Sequence, residues 1–230
     1  MTVEHVRSAA RGTEVQLITM RPKGVTGELP VCLALHGRGA DASMFVDLGV
    51  PGMLDSLVSG GSLPFAVVSV DGGDDYWVGA KDPADDPQRM LTEELPDWLG
   101  DRGLATQPFA VLGISMGGYG ALNYARGLGS PTVAVLSPAL FLSWSEAQTK
   151  DVFASEEAWQ ATDPLQHVQD LSGVPLGVWC GTQDPFLDAT RDLVDSVQPK
   201  VAAIGEGDHD AAYWTRVLPA ALDFVVASFG

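Results

Sequence analysis

Residues 108–127 read PFAVLGISMGGYGALNYARG. A short apolar run, typical of a buried strand, leads into Gly113-Ile114-Ser115-Met116-Gly117, and a glycine-rich helical pattern follows. A GxSxG motif between a strand and a helix is the context in which a serine is held on a strained turn with its hydroxyl exposed. The flanking glycines relieve the crowding of such a turn. The segment therefore predicts an α/β fold in which Ser115 is a nucleophile; the alternative is a plain turn.

The pattern around this segment repeats along the chain. Apolar runs alternate with amphipathic stretches, which indicates a mostly parallel sheet with helices on both faces. Six runs carry the parallel strands: VCLALHG, PFAVVSVDG, PFAVLGIS, PTVAVLSP, PLGVWCG and PKVAAIG. The opening segment, which includes TEVQLITM, alternates polar and apolar residues and predicts antiparallel strands at one edge of the sheet.

Between strands, a one-sided helical period begins at about Met90, and Pro96 inside it predicts a kink or a later start. Residues 138–173 have short helical patterns and no strand pattern. We expect a small, cap-like helical insertion there, over the carboxyl edge of the sheet. No repeat or linker divides the chain, so residues 1–230 are predicted to form one domain.

Composition excludes several classes of partner. The formal net charge is -17, from 30 acidic and 13 basic residues. Such a surface repels nucleic acid and anionic lipid, which both bind basic patches. No stretch approaches the roughly 18 to 20 apolar residues of a membrane span, and the N-terminus lacks a secretory pattern, so we expect a cytoplasmic protein. Cys32 and Cys180 lie in apolar runs and are expected to be free buried thiols, with no metal site.

A serine hydroxyl needs a base, and the chain has four histidines: His5, His36, His167 and His209. In the fold predicted here the base follows the last strand. His209 does so, in GEGDHDAAYW directly after PKVAAIG. His36 ends a strand, where it is expected to shape the next loop, and the other two are expected at the surface.

The base in turn needs a carboxylate that fixes its tautomer. Asp184 follows the strand PLGVWCG and precedes His209, as the chain order of this fold requires. Its alternative role is to cap the helix that begins near Pro185. Three further aspartates occur in the region and are less well placed: Asp188, Asp208 and Asp210.

Acyl transfer chemistry also requires N–H donors for the oxyanion of a tetrahedral intermediate. The amide of Met116, directly after the serine, is one candidate. The loop after VCLALHG offers the second, for which we choose the amide of Arg38, with Gly37 and Gly39 as alternatives. The Arg38 side chain is expected either to bind a substrate carboxylate or phosphate or to pair with Asp41.

These motifs together resemble the esterase D family, which includes S-formylglutathione hydrolases, feruloyl and enterochelin esterases and mycobacterial mycolyltransferases. The resemblance covers nearly the whole chain. Its elements are LALHGRGAD (33–41), DGGDDYW (71–77), GISMGGYGAL (113–122) and GDHDAAYWTRVLPAALDFV (207–225). HGRGAD is also similar to the small phospholipase and carboxylesterase group. The family resemblance implies the α/β-hydrolase fold and a triad on Ser115, Asp184 and His209.

The function predicted from these residues is hydrolysis of small carboxylic esters through an acyl-enzyme on Ser115, without a cofactor. One alternative is acyl transfer to a sugar or another alcohol, as in the mycolyltransferases. The other is a non-catalytic protein that keeps the fold. Oligomeric state is left open. Tyr76, Trp77, Tyr119 and Met44 are candidates to line the substrate pocket. Trp214 is near the same loops and could also line it, but core packing is the role expected of it.

Overall fold

The structure is a computed structural model that describes residues 1–79, 84–127 and 131–228. Eight strands of these described residues form one sheet. Their bounds are Thr2–Ser8 (β1), Thr13–Met20 (β2), Val31–Leu35 (β3), Ala66–Val70 (β4), Ala110–Ile114 (β5), Thr132–Leu136 (β6), Leu176–Gly181 (β7) and Val201–Gly205 (β8). The α-helices are Met44–Asp47 (α1), Val50–Ser59 (α2), Pro87–Arg89 (α3), Leu95–Asp101 (α4), Met116–Gly127 (α5), Trp144–Ala147 (α6), Glu156–Thr162 (α7), Leu187–Val197 (α8) and Ala211–Ala227 (α9).

The strands lie in the order β1-β2-β4-β3-β5-β6-β7-β8. β2 pairs antiparallel with both β1 and β4, and every other pair is parallel. The six apolar runs of the sequence are the six strands β3 to β8, and TEVQLITM is β2. The predicted mostly parallel α/β-hydrolase sheet with antiparallel strands at one edge is therefore confirmed.

Side-chain alternation along the central strands divides the core into two layers. Leu33 and Leu35 face one cluster of buried side chains, which helices α4, α5 and α8 cover. Cys32 and Ala34 face the other, which helices α2 and α9 cover. All five residues of β3 are buried, because both faces of the sheet are covered. Burying a leucine fully contributes roughly 1.5–3 kcal/mol, so these strands fix the frame on which the loops are held.

The helix expected from Met90 is interrupted, and its regular part begins later. Residues Met90–Glu94 form a π-helical turn, and α4 starts at Leu95 with Pro96 in its first turn. Proline has no N–H to donate, so the first turn is where it costs least. Helical backbone is already present from Pro87, so the expected later start is not observed; the π-helical turn directly before Pro96 is instead an irregularity within the helix.

Between β6 and β7 the described chain contains helical pieces and no strand. They are α6, the 3₁₀ turn Gln148–Lys150, α7 and the 3₁₀ segment Pro164–Leu171. The segment packs against the first buried layer through Phe153, Trp159 and Leu171. The helical character expected of residues 138–173 is present, and the division of the chain into one domain with a cap stays a prediction.

Candidate active site

Ser115 sits between β5 and α5 in a left-handed backbone conformation, with φ 56°. For a residue with a Cβ this conformation is strained, and it is retained only where the surroundings fix it. Here the Ser115 N–H donates to Leu136 O of β6 at 2.9 Å. A Cβ on Gly113 would overlap the Gly117 carbonyl, and one on Gly117 would overlap Leu35 O. The glycines of the motif are thus required by the close approach of α5 to the sheet.

His209 lies between the two other residues that the sequence pairs with it. Its Nδ1 is 2.9 Å from Asp184 Oδ2, and its Nε2 is 2.9 Å from Ser115 Oγ. A carboxylate can only accept, so Nδ1 carries the proton and Nε2 accepts from the serine hydroxyl. The three residues follow β5, β7 and β8, whose carboxyl ends meet at the same edge of the sheet.

The carboxylate of Asp184 is closed off from solvent, whereas the His209 side chain is 20% exposed. Burial alone raises the pKa of Asp184, but hydrogen bonds from His209, the Ser137 hydroxyl and the Phe186 amide lower the pKa below its ordinary value. Asp184 Oδ1 accepts from the Phe186 N–H at 2.9 Å. The carboxylate is therefore held ionised and oriented toward the imidazole.

Two residues that the sequence did not assign to the site also contact this triad. Ser137 directly follows β6, and its Oγ accepts from Trp214 Nε1 at 3.1 Å. The Trp214 ring stands edge-on to the His209 ring, with centroids 5.2 Å apart. A polar residue directly after a buried strand was the available sequence signal for Ser137. Trp214 packs against the second buried layer, as expected, and also contacts the histidine.

Phe186 also packs against the imidazole. Its ring centroid is 5.2 Å from that of His209, at an interplanar angle of 61°. Together with Trp214 it limits the rotation of the His209 ring, which leaves the two ring nitrogens directed at Asp184 and Ser115. Aromatic packing thus adds to the hydrogen bonds that define the ring orientation.

Two backbone amides near Ser115 have no acceptor among the described residues. Met116 is the first residue of α5, so its N–H has no intrahelical partner. In the loop after β3, Gly37 N–H donates to Met44 Sδ and Gly39 N–H to Asp74 Oδ1, which leaves the Arg38 amide without an acceptor there. This loop lies against the nucleophile turn, since a Cβ on Gly37 would be 3.4 Å from Ser115 Cβ.

Comparison with known proteins identifies the family of the chain. A family model, Esterase ("Putative esterase"), matches residues 8–225. The chain belongs to the Esterase family. No curated protein sequence matches it.

Three solved structures show the same fold as this member of the Esterase family. A ferulic acid esterase superposes with a TM-score of 0.84 at 21% identity, covering 100% of this chain and 98% of that one. The S-formylglutathione hydrolase of Agrobacterium tumefaciens gives 0.82 at 18% identity, over 99% and 95%. MPT51 of Mycobacterium tuberculosis gives 0.79 at 20% identity, over 100% of both chains. The resemblance to esterase D and its relatives is confirmed.

In this esterase, three of the four candidates for the substrate pocket are buried, which corrects the interpretation of their role. Trp77 is fully buried, and its Nε1 donates to His36 O at 3.0 Å. Tyr76 and Tyr119 are 2% and 0% exposed and stand edge-on to each other at 5.5 Å. Burial raises the pKa of Tyr76 to about 12. In this structure the three side chains are packed in the interior and are not exposed to an open pocket.

Met44, the fourth candidate, is half-buried and borders a cavity of about 280 Å³, which Ala40, Leu48, Ala211 and Trp214 also line. Because Trp214 contacts His209, this cavity opens beside the triad.

The other three histidines have separate surroundings. His36 is fully buried, accepts from Gly72 N–H at its Nε2 and contacts Gly37 O through Nδ1, both at 2.9 Å. It therefore joins the loops after β3 and β4, the loop-shaping role expected of it. His167 Nε2 contacts Gln160 O at 3.0 Å within the insertion, and His5 is exposed on β1.

Cys32 and Cys180 are both free and buried, as expected. Burial raises the pKa of each thiol to about 12. Among the described residues no cluster of three or more His, Cys, Asp or Glu has the arrangement of a metal site. No helix in the described part of the chain is long and apolar enough to span a bilayer.

Proposed function

We propose that the chain hydrolyses small carboxylic esters through an acyl-enzyme on Ser115, with His209 as general base and acid and Asp184 as its orienting carboxylate. One observation carries the proposal: a single imidazole bridges the Ser115 hydroxyl and the Asp184 carboxylate at 2.9 Å on each side. Membership of the Esterase family supports the same reaction.

In the first half-reaction Ser115 Oγ attacks the ester carbonyl carbon while its proton moves to His209 Nε2. The carbonyl oxygen becomes an oxyanion, for which the amides of Met116 and Arg38 are the proposed donors. As the intermediate collapses, the bond to the alcohol oxygen breaks and His209 protonates that oxygen. The alcohol leaves, and the acyl group stays on Ser115.

In the second half-reaction water takes the place of the alcohol. His209 removes a proton from the water as its oxygen attacks the acyl carbon, and Ser115 recovers the proton when the acid leaves. Asp184 stabilises the imidazolium in both halves without taking its proton. A cytoplasmic location and the absence of nucleic-acid partners stay predictions from the sequence.

The test is a panel of p-nitrophenyl esters of increasing acyl length, together with a fluorophosphonate label. We expect the wild type to hydrolyse esters and to be labelled, and Ser115→Ala to lose the label and about 10⁴-fold or more of kcat. Ser59→Ala, at the exposed end of α2, is the matched control and should keep both signals. Hydrolysis that persists in Ser115→Ala would overturn the proposal.

The same assay separates hydrolysis from the alternative of acyl transfer. With glycerol or glucose present, the ratio of new ester to free acid measures which acceptor the acyl-enzyme uses. We expect free acid to dominate, since the His209 side chain is partly exposed to solvent. Predominant formation of the sugar or glycerol ester would favour the transferase.

A further inference from the structure

A second cavity beside the triad has a distinct chemical character. We call it the Phe186 pocket. It has a volume of about 340 Å³ and is lined by Leu140, Phe141, Leu142, Ser145, Glu146, Thr149, Lys150, Pro185, Phe186, Asp188 and Ala189. Its wall is mixed: six of the eleven lining residues are apolar, and the charged ones are Glu146, Asp188 and Lys150, of which Lys150 is the cation.

The walls of the Phe186 pocket connect to each part of the proposed machinery. Phe186 packs against the His209 ring. The segment that leads to Leu140 and Phe141 is tied to the nucleophile by the Ala139 N–H, which donates to Ser115 O at 3.0 Å. The Arg38 guanidinium donates from Nη2 to Lys150 O at 3.1 Å, which joins the loop after β3 to the insertion.

Lys150 projects its ammonium group over aromatic rings. Its Nζ lies 5.9 Å from the Phe141 ring centroid and 5.7 Å from that of Phe186. Within the described ranges the ammonium forms no ion pair. Contact with the faces of two aromatic rings stabilises the charged form of the Lys150 amine, and the N–H groups of the ammonium stay available to a ligand.

The carboxylates around the Phe186 pocket are already engaged. Glu146 Oε2 accepts from the Leu142 N–H at 2.9 Å, and Asp188 pairs with Arg191 at 3.2 Å. On the Arg38 side, Asp74 accepts from Gly39 N–H at 2.7 Å. Five arginines of the described chain form ion pairs with acidic side chains: Arg11, Arg89, Arg102, Arg126 and Arg191. Arg38 is not part of any of these ion pairs.

Any group that fills the Phe186 pocket displaces water from Lys150. A neutral apolar group would leave the ammonium desolvated without compensation. An anionic group replaces the lost water contacts with charge-assisted hydrogen bonds. The net charge of -17 does not prevent the binding of an anionic group. At physiological salt, charges more than about 8 Å away are largely screened, so the charged groups closest to the pocket determine the electrostatic interaction with a ligand.

We propose that the Phe186 pocket binds the part of the ester substrate that carries an anionic group, a carboxylate or a phosphate, with Lys150 as its partner and Arg38 at the rim. This inference rests on the proposed function and specifies its substrate class. A pocket of this kind distinguishes substrates by their charge, so the test compares substrates that differ in charge and have nearly the same shape.

Two pairs of esters provide that variation. One carries the charge on the acyl side: the 4-nitrophenyl monoester of adipic acid and its methyl ester. The other carries it on the alcohol side: 4-acetoxybenzoate and methyl 4-acetoxybenzoate. For each pair the ratio of kcat/KM, anionic over neutral, is measured in the wild type and in variants, so that intrinsic differences in reactivity cancel.

We expect Lys150→Gln to lower this ratio by about five-fold in at least one pair, the magnitude of a partly exposed ion pair. Lys150→Arg should retain most of the preference. Lys200→Gln removes the same charge just before β8, at the end of the strand opposite the triad, and should leave the ratio at the wild-type value. Added salt should lower the ratio in the wild type more than in Lys150→Gln.

A change in the ratio of less than about two-fold in both pairs for Lys150→Gln would overturn the inference. Such a small change is what we expect if Lys150 does not contact the anionic group of the substrate. If Ser115-dependent hydrolysis of the neutral esters persists in that case, the proposed function stands and only the substrate class is wrong. Loss of Ser115-dependent hydrolysis from all four esters would overturn both.

Discussion

Two buried aspartates of this chain share one local motif and differ in the groups that contact their second oxygen. Asp163-Pro164-Leu165 begins a 3₁₀ segment in the insertion, and Asp184-Pro185-Phe186 follows β7. In both, Oδ1 accepts the N–H two residues on, from Leu165 at 3.3 Å and from Phe186 at 2.9 Å. Asp163 is 1% exposed and Asp184 is 5% exposed.

Their pKa values nevertheless move in opposite directions. Burial raises the pKa of Asp163 to about 6, and its hydrogen bonds from Leu165 and Gln166 offset only part of that effect. Burial also raises the pKa of Asp184, but there the hydrogen bonds, led by the one from His209, outweigh it and lower the pKa. Equal burial and equal capping thus give a carboxyl that resists ionisation and a carboxylate held ionised.

The neighbouring histidines account for the difference. His209 donates its Nδ1–H to Asp184 across 25 residues of sequence. His167 is four residues from Asp163, yet its ring nitrogens contact Gln160 O at 3.0 Å and Asp170 at 3.6 Å instead. A capping aspartate acquires a chemical role only when a distant part of the chain brings a base to its second oxygen.

The largest expected effect separates the two aspartates by activity. Asp184→Asn replaces the acceptor of the His209 Nδ1–H with an amide, which favours the wrong tautomer, so we expect kcat for a p-nitrophenyl ester to fall about 10³- to 10⁴-fold. Asp163→Asn, the same change in the same motif, should alter kcat less than about two-fold because it lies outside the triad. Similar losses in both variants would remove the functional distinction.

The next effect separates them by stability. The Asp163 pKa is raised from 3.8 to about 6, so the folded state holds the proton more tightly than the unfolded state. The stability linked to this proton is present at low pH and is lost as the pH rises from about 4 to 6. Asn cannot ionise and still accepts the Leu165 N–H. We therefore expect Asp163→Asn to raise the free energy of unfolding by about 3 kcal/mol at pH 8.

Urea unfolding at pH 8 and pH 5 measures this difference. The gain from Asp163→Asn should shrink by about 1 kcal/mol at the lower pH, because part of the wild-type population is then protonated. A gain that is constant with pH would show that ionisation of Asp163 is not its cause. Far-UV circular dichroism of both proteins at each pH is the control for an unchanged fold.

The smallest effect tests the support around Asp184. Trp214→Phe keeps a ring against His209 but removes the N–H that Ser137 Oγ accepts. Loss of one such hydrogen bond is worth about 1 kcal/mol, so kcat/KM should fall about three- to ten-fold. Trp98→Phe, on α4 away from the triad, is the matched control. Equal activity in the two variants would leave Trp214 as a packing residue only.

Much of the frame was predictable because its causes are local. Continuous apolar runs between turn residues specify buried parallel strands, and Gly113 and Gly117 around Ser115 specify a turn that other residues cannot form. The position of His209 and Asp184 beside Ser115 could be predicted because strand order fixes which loops reach the same edge of the sheet.

The aromatic candidates show where such reasoning fails. Tyr76 and Trp77 occur in a loop, and loop aromatics near a site are reasonable pocket residues. In the structure Trp77 turns under α5, where Gly120 has no side chain to exclude it. That fit depends on the spacing between α5 and the loop after β4, for which neither segment carries a local signal.

By itself, the sequence determined the strands, the nucleophile turn and the order of the polar residues along the sheet edge, because hydrophobic periodicity and glycine sterics act over a few residues. Tertiary structure decided which amide after β3 is left without an acceptor, since Met44 and Asp74 bind its neighbours. It also decided which Asp-Pro motif faces a histidine. Contacts between residues far apart in sequence set both outcomes, and burial makes their consequences large.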